Sequence, residues 1–247
     1  MIAQIEIATW NVLHRIHAEN WGEAQAQAFP LEAVRTTAIA TRVAKELASR
    51  CEAVCLQEVS GDQLAMLRMA LPGAFFYELR YPRVPKLKSG AESPLVEATE
   101  HLVTIAARGS ERLAAAAFAS DPGKGFLSVA LPSGFVVVNT HVSFGPRAQK
   151  QIDEVVVHAK THTGQVVIAG DFNASAADAS ALLGPEFTIV PLRQPALPTR
   201  PRAPGHEKSS TIDHAFVWRA APVDAEVLDG EGLSDHNPVV AGVQYSQ

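Results

Sequence analysis

Residues 102–141 read LVTIAARGSERLAAAAFASDPGKGFLSVALPSGFVVVNTH. β-branched and aromatic runs alternate here with turn residues such as Gly109, Ser110, Asp121, Pro122, Pro132, Ser133 and Gly134, the pattern of successive strands joined by tight connections. Working outward, strands are predicted over 2–10, 53–57, 74–80, 102–108, 112–119, 126–131, 135–141, 166–169, 211–218 and 239–244. Helices are predicted over 31–49, where Ile39, Val43 and Leu47 recur at i, i+4, and over 61–70, 147–160 and 176–183. The section from 74 to 141 is strand and turn with helices on either side, so a regular βα alternation does not fit. Two largely antiparallel sheets packed face to face with helices outside do fit, which makes the class α/β. No segment repeats at a fixed period.

The chain has 247 residues, 47% hydrophobic and 19% charged, with a formal net charge of −5. That composition excludes disordered and fibrous classes, and a chain of this length buries roughly three quarters of its unfolded surface. One domain over residues 1–247 is expected. The acidic balance argues against a protein that coats duplex DNA, because such affinity comes from many Lys and Arg neutralising phosphates. No Lys or Arg precedes Arg15, so a secretory signal is not expected, and no apolar stretch reaches spanning length, so neither is membrane insertion. Two cysteines cannot form a disulfide framework, and Cys55, inside Ala53-Val54-Cys55-Leu56, reads as a buried small hydrophobe. A reducing, cytoplasmic setting is the expectation, and no obligate protein partner is evident.

Two loops are basic. Residues 81–89 hold Arg83, Lys86 and Lys88 with no acid, and residues 191–208 hold Arg193, Arg200, Arg202 and Lys208 against Glu207. Prolines at 191, 195, 198, 201 and 204 stiffen the second loop, which reads either as a linker or as a functional loop over a pocket. In the latter case Lys208, five residues before Asp213, is the anchor for a substrate phosphate, with Arg202 beside it.

Six short polar motifs each close or follow an apolar run: Thr9-Trp10-Asn11, Leu56-Gln57-Glu58-Val59, Asn139-Thr140-His141, Gly170-Asp171-Phe172-Asn173, Thr211-Ile212-Asp213-His214 and Ser234-Asp235-His236-Asn237-Pro238. Singly, each has an ordinary reading, such as a turn-capping Asn or a helix-starting Glu. Together they offer a set that can converge at one sheet edge. Hard oxygen ligands such as Glu58, Asp171, Asn173 and Asp235 suit Mg²⁺ or Mn²⁺ rather than Zn²⁺. An imidazole beside carboxylates suits proton transfer near neutral pH.

These motifs, in this order from Thr9 to Pro238, resemble the endonuclease/exonuclease/phosphatase superfamily of DNase I-like enzymes. The resemblance implies a four-layer α/β/β/α sandwich and metal-dependent hydrolysis of a phosphoester P–O bond. By position it makes Glu58 the principal metal ligand, supported by Asn11 and by Asp235. It makes Asp171 the residue that orients or deprotonates the attacking water and Asn173 a donor to a phosphate oxygen. His236 paired with Asp213 is similar to the family's His–Asp couple, and His141 stands where members stabilise phosphate charge or assist the leaving group. Where many members have a glycine, this chain has His101, which reads either as a substrate contact or as a solvated strand end. His14 and His17 read as a surface loop after the first strand, His158 and His162 as a helix end suited to imidazole, and His214 as facing away from Asp213 by strand alternation.

The leading reading is a Mg²⁺- or Mn²⁺-dependent phosphoester hydrolase acting on a small phosphorylated metabolite, a nucleotide or a nucleic-acid end. A nuclease for single-stranded DNA or RNA is the second, with Trp21, Phe144 and Tyr81 as stacking candidates. A catalytically inactive binding module is the third, disfavoured because no motif residue is missing.

Overall fold

A computed structural model of the chain describes residues 4–201 and 209–245. In chain order the first half comprises β1 (Gln4–Asn11), α1 (Arg15–Trp21), α2 (Ala24–Ala28), α3 (Glu32–Arg42), β2 (Ala53–Ser60), α4 (Gly61–Ala70), β3 (Phe75–Arg80), β4 (Glu100–Ala106) and β5 (Glu111–Phe118). The second half comprises β6 (Asp121–Ala130), β7 (Val136–His141), α5 (Ala148–Lys160), β8 (Val166–Asp171), α6 (Ala176–Leu183), β9 (Thr188–Ile189), β10 (Asp213–Trp218), β11 (Ala220–Val227) and β12 (Val239–Tyr245). The strands form two six-stranded sheets, ordered β11-β12-β1-β2-β4-β3 and β5-β6-β7-β8-β10-β9. Both are mixed: β1–β2 and β7–β8 are parallel, and the other pairs antiparallel.

The two sheets pack face to face, with helices on each outer face. Alternation on single strands produces this layering. On β4, Leu102 and Ala106 enter the core between the sheets while Val103 and Ile105 pack with Ile39 of α3 and Leu64 of α4. On β8, Val167 and Ala169 face inward while Val166 and Ile168 meet Ile152 and Val155 of α5. Strands buried on both faces read as continuous apolar runs, which is why 166–169 and 135–138 stand out in the sequence. The result is the α/β/β/α sandwich expected from the resemblance.

Several boundaries differ for physical reasons. The helix expected over 31–49 is α-helical only to Arg42 and continues as a π turn over Val43–Leu47. α1 and α2, unpredicted, are too short to show a helical period. β11 was also missed: it is an edge strand with Pro222 and a register shift between Pro222 and Ala225, both of which weaken a strand signal. β6 starts at Asp121, ahead of 126, through a Gly123-Lys124-Gly125 stretch that reads as a turn. Gly125 is required there because a Cβ would run into the Ala116 carbonyl oxygen across the β5–β6 pair.

Near the edge where the motifs gather, a buried polar seam joins the sheets. Gln57 Nε2 donates to Asn139 Oδ1 at 2.8 Å and to Thr9 Oγ1 at 3.0 Å, and Asn139 Nδ2 donates to the Val103 carbonyl at 2.8 Å. Among the described residues, no helix is long and apolar enough to cross a membrane.

Candidate active site

Strand register lines up the second sheet's contribution. His141 on β7 and Asp213 on β10 are both paired with Asp171 on β8, so the three form one row on the inner face at the strand ends. Gly170 makes the β7–β8 approach possible, since a Cβ would overlap the Thr140 carbonyl oxygen. From the facing sheet, Asn11 at the end of β1 donates through Nδ2 to Asp171 Oδ2 at 3.1 Å. Glu58 lies in β2 at φ 57°, where the β2–β4 register shifts between Leu56 and Val59. This bulge takes its side chain out of the regular alternation and into the cleft. Asn173, also left-handed at φ 49°, donates its backbone N–H to Asp171 Oδ1 at 2.9 Å and its amide to the Val142 carbonyl at 2.9 Å.

His236 enters from the loop before β12. Its Nδ1 is 2.8 Å from Asp213 Oδ2, and its Nε2 is 4.0 Å from both Asp171 Oδ2 and Asp235 Oδ2. Trp10 Nε1 holds the His236 carbonyl at 2.9 Å. Thr199 Oγ1 accepts from the backbone N–H groups of Ile212 and Asp213, at 2.9 and 3.1 Å, and its carbonyl from Asn237 N–H at 2.6 Å. The Pro-rich loop therefore fixes the His236–Asp213 couple from behind.

Burial opposes charge on every one of these groups, so the net direction shows which partners win. Burial alone would raise the Glu58 carboxyl, but His17, Lys124, His141 and Asn11 outweigh it and hold it well below the usual carboxylate range. Burial likewise opposes charge on Asp171, and His141, His236 and Lys124 hold it ionised. Asp213 goes the other way, raised chiefly by burial. Burial would lower His236, yet Asp213, Asp235 and Asp171 together raise it to about 10. The site thus joins two ionised carboxylates to a proton-holding imidazole.

These side chains surround a cleft of about 1150 Å³. Asn11, Glu58, Asp171, Asn173, Asp235 and His236 line it, with His141 and Asp213 buried just behind. His101 is not among the lining residues. On β4 it alternates with Glu100, which faces the cleft side, so His101 turns to the opposite face and sits beside Thr99 Oγ1 at 3.0 Å, neither a substrate contact nor a solvated strand end. Tyr81 is 1% exposed and unable to stack on a ligand. His14 and His17 are not in a surface loop: His14 caps α1 by accepting from Ile16 N–H at 3.2 Å, and His17 lines the cleft. His158 lies in the last turn of α5 and His162 two residues past its end, and His214 faces outward onto the Ala174 carbonyl at 3.0 Å. Arg202 and Lys208 lie outside the described residues.

Sequence reasoning gave no site role to four cleft groups, of which Arg200 was named only as part of a basic loop. His17 Nε2 is 3.1 Å from buried Glu100 Oε2, a second imidazole–carboxylate couple. Lys124 reaches inward from β6, contacts His141, and places Nζ 4.0 Å from Glu58 Oε1. Arg200 bridges Asp235 Oδ2 at 3.0 Å and Glu23 Oε1 at 3.4 Å. Asp121 collects arginines at one wall. Lys124 had a sequence signal, a single cation between two glycines before an apolar run, whereas the others reach the cleft only through the packing of a short helix, a strand end and loops.

The donor chemistry fits a hard divalent cation. Glu58, Asp171 and Asp235 offer carboxylate oxygens and Asn11 an amide oxygen, the preference of Mg²⁺ or Mn²⁺. Ligand atoms of Asp171, Asp213 and His236 also lie within 4.8 Å of one another, and Asp213 Oδ1 is buried without a hydrogen-bond partner.

A model of the endonuclease/exonuclease/phosphatase family matches residues 8–236. The chain belongs to that family. No curated protein sequence aligns with it significantly. Among solved structures, this family member is similar to an endonuclease/exonuclease/phosphatase family protein from Bacteroides thetaiotaomicron, at 16% identity and TM-score 0.71, covering 100% of both chains. It is similar as well to an endonuclease/exonuclease/phosphatase from Bacteroides vulgatus, at 19% identity and TM-score 0.69, covering 99% of this chain and 100% of that one. D. rerio TDP2 complexed with single strand DNA product matches at 15% identity and TM-score 0.69, covering 98% and 99% of the two chains. At these identities the likeness is one of fold.

Proposed function

We propose that this chain is a divalent-metal-dependent phosphoester hydrolase in which water attacks phosphorus in line with the leaving oxygen. The observation that carries this reading is the convergence of Asn11, Glu58, Asp171 and the His236–Asp213 couple in one cleft. Family membership supports phosphoester hydrolysis, and the match over residues 8–236 supports treating residues 1–247 as one catalytic domain.

Glu58, Asn11 and Asp235 would hold Mg²⁺ or Mn²⁺, which when bound supplies positive charge against the phosphate oxygens. The remaining work belongs to the chain. Asp213 accepts from His236 Nδ1, which fixes the tautomer and leaves Nε2 facing the cleft. Asp171 Oδ2, 4.0 Å from that Nε2, orients the attacking water and takes its proton as the new P–O bond forms and the leaving oxygen departs, while the proton already held by His236 sets positive charge beside the reacting phosphoryl group. Lys124, Asn173 and His141 stabilise the negative charge gathering on the phosphoryl oxygens. The substrates that suit an acidic body with basic loops are a small phosphorylated metabolite, a nucleotide or a nucleic-acid end. Trp21 and Phe144, 70% and 77% exposed at the cleft, favour a second reading, a nuclease acting on single-stranded DNA or RNA. An inactive binding module is disfavoured by the intact set of carboxylates and imidazoles. The free Cys51 and Cys55 support a reducing, cytoplasmic setting.

The test is hydrolysis of bis(p-nitrophenyl) phosphate and p-nitrophenyl phosphate with Mg²⁺, Mn²⁺ or EDTA. Metal-dependent release of p-nitrophenolate is expected; undiminished release in EDTA refutes the reading.

A further inference from the structure

Asp121, at the head of β6, is 8% exposed and is met by a backbone N–H, a hydroxyl and two guanidinium groups. Gly123 N–H donates to Oδ1 at 3.0 Å and Ser143 Oγ to Oδ2 at 3.0 Å. Arg83, from the loop after β3, places a guanidinium nitrogen 3.6 Å from Oδ1, and Arg147, from the turn before α5, places one 3.5 Å from Oδ2. The Arg83 guanidinium rests against Gly123, where a Cβ would collide with it.

Both arginine side chains stay open, 48% and 61% exposed, and neither makes another hydrogen bond or ion pair among the described residues. Each guanidinium has five N–H donors, so most remain available, and both residues line the cleft. A buried carboxylate needs compensation, but the Gly123 N–H, the Ser143 hydroxyl and one guanidinium supply it, so a second, largely exposed arginine adds little to stability. With a net charge of +1, the cluster is instead suited to hold an anion bidentately.

Its position relative to the chemistry is also defined. Ser143 is two residues beyond His141, a chain separation of at most roughly 7 Å, and Asp121 is three residues before Lys124. Phe144, exposed at the cleft, lies between Ser143 and the turn carrying Arg147 and presents a planar face at the same wall.

We propose that Arg83 and Arg147, seated on Asp121, form a second anion subsite that takes a substrate phosphate other than the one being cleaved. This rests on the phosphoester reading above and narrows it to substrates carrying two phosphates around a nucleoside: a bisphosphorylated nucleotide or the end of a nucleic-acid strand. The base stacks on Phe144.

The test compares thymidine 5′-(p-nitrophenyl phosphate) with and without a 3′-phosphate. The wild-type chain should prefer the 3′-phosphorylated substrate by about tenfold in kcat/KM, chiefly through KM, as expected for one charge-assisted contact. In Arg83→Gln/Arg147→Gln the preference should fall to near one. Asp121→Asn supplies the control: it removes a negative charge, so bulk attraction predicts a larger preference, whereas loss of the arginines' seat predicts a smaller one. A pTpT dinucleotide arm carrying the same reporter distinguishes strand end from free nucleotide. A wild-type ratio near one, or a ratio unchanged in the double variant, overturns the subsite while leaving the hydrolase reading intact. If no ester is cleaved with Mg²⁺ or Mn²⁺, the hydrolase reading fails, and calorimetry in EDTA judges the subsite alone. There, thymidine 3′,5′-bisphosphate should bind the wild-type chain about tenfold tighter than Arg83→Gln/Arg147→Gln, and equal affinities overturn the proposal.

Discussion

Replacing Asp213 with asparagine removes one buried charge and keeps the side chain's shape. The carboxylate is 0% exposed and lies 2.8 Å from His236 Nδ1, so little solvent screens the pair. A hydrogen bond to a charged group contributes about 1.5–3 kcal/mol. At 1.36 kcal/mol per decade, losing that hold on the imidazole lowers kcat/KM by roughly 10- to 150-fold. The sign of the pH effect follows from the balance at His236. Burial pushes its pKa down, and Asp213, Asp235 and Asp171 push it up; removing the strongest of these three leaves burial less opposed, so the pKa falls. The pH–rate limb set by His236 should therefore move to lower pH whether the imidazole serves as base or acid. The assay is kcat/KM for bis(p-nitrophenyl) phosphate from pH 5 to 10, with near-UV circular dichroism to establish that the variant is folded. A folded variant within about twofold of wild type, with its limb unmoved, would remove the couple from the mechanism.

Glu58→Gln should lose at least about a hundredfold in turnover and need more Mg²⁺ for half-maximal rate; an unchanged metal titration would detach Glu58 from the cation. Gly170→Ala sets a Cβ against the Thr140 carbonyl. Overpacking of this kind costs about 1–3 kcal/mol, roughly a 2–12 °C drop in melting temperature, and an unchanged thermal melt would contradict the close approach. Asn139→Ala strands the Gln57 amide and the Val103 carbonyl between the sheets. About 2–4 kcal/mol of stability should be lost by urea unfolding, and a loss below about 0.5 kcal/mol would show that the seam is not needed.

The strand-end motifs were legible because their information is local. A polar residue at the end of an apolar run marks where a strand enters or leaves the core; His141 and Asp171 close such runs and Asp213 opens one. His101 reads from sequence either as a substrate contact or as a solvated strand end because its face is not known there, and one residue of alternation separates it from Glu100 on the cleft side. Asn139 and Gln57, inside motifs that point to catalysis, instead satisfy each other between the sheets. His17 was read as loop because a seven-residue helix gives no period, although that helix carries it into the cleft.

By itself the sequence determined the α/β class, the strand-rich middle, and the six polar motifs whose carboxylates, amides and imidazoles gather at the candidate site, because hydrophobic alternation and turn chemistry act over a few residues. Only the tertiary structure decided which basic groups face them. Lys124, Arg200, and Arg83 with Arg147 on Asp121 reach the cleft through sheet closure and loop packing. Those contacts join residues far apart in the chain, and no local pattern records them.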